Sequence, residues 1–69
     1  MKEVTPSDAN DFLKFLEAEN KELFDYVSKF NMQIIDGNII FFKPAKMDDK
    51  LYDTYNELLD RWYSENGFK

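Results

Sequence analysis

The chain has 69 residues, 14 acidic and nine basic side chains, a formal net charge of −5, and neither cysteine nor histidine. That length fits one small acidic α+β domain over residues 1–69 with a thin core, since a chain this short buries only about 60% of its unfolded surface. The charge balance argues against direct contact with nucleic acid or an anionic membrane, and the missing residue types exclude disulfides and thiol chemistry.

The first element is marked by Thr5-Pro6-Ser7-Asp8. Thr5 suits an N-cap, Pro6 the first helical position, and Asp8 can reach back to complete a capping box. Val4 either extends as an edge strand or packs where the helix begins. Apolar residues follow at Ala9, Phe12, Leu13 and Leu16, and resume at Leu23, Phe24, Val27 and Phe30. At about 100° per residue both sets share one phase, which permits a single helix. Glu19 and Asn20 interrupt the stripe, and Asn20 can cap a second helix. The favoured reading is two helices, over residues 6–18 and 21–29, with a bend between them and with Phe15 and Tyr26 on the flank of the stripe.

The next stretch organises the rest. Two apolar runs, at residues 32–35 and 39–42, flank Asp36-Gly37. Asp-Gly between β-rich runs signals a type I′ hairpin turn, whose two central residues both need positive φ. With a two-residue turn, Ile35 opposes Asn38, Ile34 opposes Ile39, Gln33 opposes Ile40 and Met32 opposes Phe41. Side chains alternate across a strand, so Met32, Ile34, Ile39 and Phe41, with Phe30 at the end, form the core face. Gln33, Ile35, Asn38, Ile40 and Phe42 form the outer face. A bulged turn would shift this pairing by one residue.

Pro44 ends the second strand, because proline donates nothing to a ladder. Residues 45–47 then read as a connector. Asp48 is the expected N-cap of the last helix, and Asp49 is favoured by the dipole at its start. Leu51, Tyr55, Leu58 and Trp62 make the inner stripe, widened by Leu59, Tyr52 and Tyr63. Gly67 suits the left-handed position after the helix, and Phe68 can fold back onto the last turn. The expected fold is α+β, in the order α-α-β-β-α, with helices packed on a two-stranded antiparallel hairpin.

Chemistry-bearing patterns are scarce. The three serines, Ser7, Ser28 and Ser64, have no histidine to activate them, and the two glycines, Gly37 and Gly67, are accounted for by a turn and a cap. Asp8-Ala9-Asn10-Asp11 resembles the opening of a calcium loop, but Leu13 stands where that loop requires glycine. The expectation is a non-enzymatic protein with no catalytic residues, cofactor or metal. No apolar run approaches the roughly 20 residues of a membrane span, and the N-terminus lacks the apolar core of a secretory signal. A cytoplasmic location is the default.

Two features rise above this background. Residues 48–66 hold six acids and two bases, against eight acids and seven bases elsewhere, so the last helix carries nearly all the excess charge. Asp49, Asp53, Glu57 and Asp60 fall in one row beside Tyr52 and Tyr63. Such a row is a solvated face, with Lys50 near Asp53 and Arg61 near Glu57, or it docks on a basic protein surface. Its sharpest functional form is nucleic-acid mimicry by a small acidic accessory or inhibitor protein. The second feature is the apolar trio Ile35, Ile40 and Phe42 on the outer hairpin face. Either another element covers it or it is an interface, in particular a homodimer face.

Overall fold

The computed structural model describes residues 2–30 and 32–68; Met1, which opens the N-terminal lead, Asn31, which opens the hairpin stretch, and Lys69 lie outside the described residues. Three helices and one hairpin follow in the order α1 (Pro6–Glu19), α2 (Lys21–Lys29), β1 (Gln33–Ile35), β2 (Asn38–Ile40) and α3 (Asp49–Glu65). This is the expected α-α-β-β-α arrangement.

The start of α1 is a complete capping box. Asp8 N–H donates to Thr5 Oγ1 at 3.2 Å, while Thr5 N–H and its hydroxyl donate to the Asp8 carboxylate at 3.0 and 2.9 Å. The backbone and then the side-chain bond from Thr5 hold the Asp8 carboxyl below its ordinary pKa. The carboxylate form is therefore favoured by folding, and its contribution fades as pH falls through that lowered value.

Asn20 separates α1 from α2. Its backbone is extended, at φ −159° and ψ 99°, so the helix cannot pass through it. Its N–H closes α1 onto the Leu16 carbonyl at 2.7 Å, and its Oδ1 accepts the Leu23 N–H at 3.2 Å to open α2. One residue thus satisfies donors and acceptors of two helix ends. A straight helix over residues 6–29 would be about 36 Å long, more than the 33 Å of the whole molecule.

The hairpin has the expected register, with Gln33 opposite Ile40, Ile34 opposite Ile39 and Ile35 opposite Asn38. Asp36 at φ 53° and Gly37 at φ 75° give the two positive angles of an unbulged I′ turn. The N-terminal lead crosses this turn. Val4 N–H donates to the Gly37 carbonyl at 2.9 Å, and a β-carbon on Gly37 would stand 2.8 Å from the Glu3 side chain. Of the two readings of Val4, packing at the start of the helix is the one realised: it is buried and belongs to no strand.

The two hairpin faces also lie as expected. Ile39 and Phe41 are buried, and Met32 and Ile34 pack half-buried against the core. Phe30 is a correction. It caps the end of α2 instead of extending the core face, stays exposed, and stacks on Tyr26 with ring centroids 5.9 Å apart.

In α3 the Asp48 side chain accepts the Lys50 N–H at 3.2 Å. Tyr55 and Trp62 are buried, with Leu51 and Leu58 half-buried beside them. After Gly67, at φ 78°, the Phe68 N–H donates to the Tyr63 carbonyl at 2.9 Å, which is the Schellman closure. The Phe68 ring lies on Trp62, centroids 5.1 Å apart. An aromatic cluster at the centre of the core joins α1, α3 and the segment after β2: Phe12 of α1 sits 5.3 Å from Trp62 and 6.1 Å from Tyr55, and Phe41 sits 5.1 Å from Tyr55. Met47, read as part of a connector, belongs to this core at 2% exposure.

Candidate functional site

α3 carries the first of the two sequence-derived features, the acid row. Tyr55 and Trp62 turn inward, so the acid row faces solvent about half a turn away. Its members have different surroundings. Asp49 pairs with Lys43, just after β2, at 3.0 Å. Asp53 and Glu57 are exposed and have no ion-pair partner among the described residues. Arg61, which the helical spacing offers to Glu57, instead pairs with Glu19 of α1 and lies over the Phe15 ring, 5.1 Å from its centroid. Asp60 lines a recess of about 220 Å³ at the hairpin turn, beside Lys2, Val4, Gly37 and Tyr63.

The two tyrosines flanking the row are tied to the fold. Tyr52 is half-buried, its ring stacked on Tyr55 at 6.0 Å and 14°. Tyr63 places its hydroxyl to accept the Ile39 N–H at 2.8 Å. In this register Ile34 and Ile39 form the pair that does not exchange hydrogen bonds, so the Ile39 N–H points away from β1. Tyr63 therefore binds α3 to the free edge of β2.

That contact creates a groove which neither sequence feature announced. Ile39 to Phe42 form one wall, and Tyr52, Tyr55, Asn56 and Leu59 of α3 form the other, around about 240 Å³. Of the outer-face trio, Ile40 and Phe42 line this groove, whereas Ile35 does not. Phe42 is 72% exposed and Ile35 43%, so within a single chain this patch is left open. Tyr55 lies behind the groove with its hydroxyl buried and unpartnered among the described residues. Burial, and then the phenols of Tyr63 and Tyr52, push its pKa well above the ordinary value. The spacing of Tyr52, Asn56, Leu59 and Tyr63 along one helix flank is legible on a helical projection. The edge of β2 running beside that flank is a tertiary fact.

No family model, curated protein or solved structure matches this chain. The function has to be read from the surface itself. Among the described residues, no group of acidic side chains is arranged to hold a metal ion, and no helix is long and apolar enough to cross a membrane. A further shallow groove of about 370 Å³ lies at Glu22, Asp25, Tyr26, Lys29, Phe30 and Lys46. Its mixed charges give it no single chemical preference.

Proposed function

We propose that the protein is a non-enzymatic interaction module that presents the acidic flank of α3 to a basic surface on a protein partner. The observation carrying this reading is the diversion of Arg61 to Glu19, which leaves Asp53 and Glu57 exposed and uncompensated on one helix face. Like charges at this spacing cost a helix roughly 0.2–0.5 kcal/mol per pair, a cost that a cationic partner relieves. Complementary charge speeds encounter and selects among partners more than it adds affinity.

The test is capture from lysate at two ionic strengths with the parent and with Asp53→Lys/Glu57→Lys. The expected outcome is a partner lost at high salt and lost from the double variant, with the helical circular dichroism unchanged. Retention of that partner by the double variant at low salt overturns the reading. Asp60 is left intact because it lines the recess at the hairpin turn.

The exposure of Phe42 and Ile35 supports a second reading, a homodimer joined through the outer hairpin face. Light scattering over a concentration series decides it, since a monomer at high concentration removes the dimer.

A further inference from the structure

The groove between β2 and α3 has an open apolar wall on the hairpin side, and the acidic flank of α3 begins beside Asn56 at its other rim. We propose that this groove receives a bulky apolar side chain from the same basic partner segment, so that the recognised ligand is a cationic peptide with an apolar anchor. The inference rests on the reading of the acidic flank and adds the anchor to it.

Three observations carry it. First, the groove is apolar on both sides, with Ile40 and Phe42 facing Tyr52 and Leu59. At about 240 Å³ it falls short of the about 300 Å³ at which small-molecule pockets begin, and it has room for single side chains. Second, Phe42 remains 72% exposed at its rim. Aromatic residues beside a desolvating pocket are the usual centres of binding energy at protein interfaces. Third, the groove itself is lined by no charged residue, and beside its helix wall stands the exposed carboxylate of Asp53, three residues before Asn56, while the Lys43 cation that follows β2 is already taken up by Asp49. A purely apolar partner would leave Asp53 uncompensated, and an acidic one would be repelled. A segment bearing lysine or arginine on either side of a leucine or aromatic residue satisfies both halves of the surface.

The test uses three short synthetic peptides titrated into the isotope-labelled 69-residue chain. One carries lysines with leucines at helical i, i+4, i+7 spacing. The second keeps the lysines and replaces each leucine by serine. The third keeps the leucines and replaces each lysine by glutamate. The lysine–leucine peptide is expected to shift the amide resonances of Ile40, Phe42, Tyr52 and Leu59. Phe42→Ser should weaken it about tenfold, while binding of the lysine–serine peptide changes less than about twofold. Phe42 is exposed, so the change does not threaten the core.

Equal affinity of the lysine–leucine and lysine–serine peptides overturns the anchor and leaves the acidic-flank reading standing. Loss of all binding dependence on Asp53→Lys/Glu57→Lys overturns that reading instead. Equal binding of the glutamate–leucine peptide at the groove, or a dimer that buries Phe42 and is not displaced by the lysine–leucine peptide, also overturns the proposal.

Discussion

Tyr55 shows how one atom can set a residue's behaviour. Its ring is central to the core, packed by Phe12, Phe41 and Tyr52, but its hydroxyl is buried without a partner among the described residues. An unsatisfied buried hydroxyl costs roughly 1–3 kcal/mol, so Tyr55→Phe is expected to keep the ring packing and leave stability unchanged or raised. The titration gives a second readout. The folded pKa lies above the unfolded value near 10, so folding opposes ionisation. The contribution of the neutral phenol is complete below pH about 10 and is lost as pH climbs toward the folded value, at up to about 1.4 kcal/mol per pH unit. Denaturant melts between neutral and strongly alkaline pH should therefore show a steeper loss in the parent than in Tyr55→Phe. Identical slopes would mean that the phenol ionises as readily in the folded chain as in the unfolded one, and a clear destabilisation by Phe at neutral pH would mean that the hydroxyl has a hydrogen-bond partner. Nothing in the spacing of Tyr55 revealed this: the stripe placed its ring inside, and only the surrounding elements decide whether its oxygen meets an acceptor.

At the scale of elements, the boundaries with local chemistry were the legible ones. Thr5-Pro6-Ser7-Asp8 names its own cap, Asp36-Gly37 its own turn, and Gly67-Phe68 its own Schellman closure, because each depends on bonds within a few residues. The α1–α2 bend was harder. Apolar periodicity runs through Asn20 in unbroken phase, and the capping preference of its side chain was the signal pointing the other way. The structure makes that side chain the acceptor for Leu23 N–H. Asn20→Ala is expected to cost about 1 kcal/mol, measured by chemical denaturation, with a loss of protection in the first turn of α2 by amide exchange. An unchanged midpoint would show that α2 is held by Leu23 and Val27 alone. The exposure of Phe30, expected on the core face, and the burial of Met47, about which the connector reading was silent, share one reason. Their burial depends on where the chain goes after α2 and after Pro44, and neither path is written in periodicity.

For the whole molecule, the margin is thin. The radius of gyration is 11.3 Å, as compact as a chain this long becomes, about 11 Å. Total stability at this size is on the order of 3–10 kcal/mol. Phe41 is 5% exposed and contacts Tyr55, so Phe41→Ala should cost about 3–5 kcal/mol and abolish or nearly abolish the cooperative melt. Its neighbour Phe42 points the other way, and Phe42→Ala should move stability by less than about 0.5 kcal/mol. Similar melts for the two variants would contradict the assignment of hairpin faces. The candidate site was legible as two separate surfaces; their meeting at a groove was not, since it depends on which strand edge α3 lies against. The Tyr63 hydroxyl on the Ile39 N–H has a consequence for chain-to-chain stacking. Fibrils grow when one molecule's ribbon recruits the next through its open amides, and a three-residue strand whose outward amide is already occupied by a phenol makes a poor template for that growth.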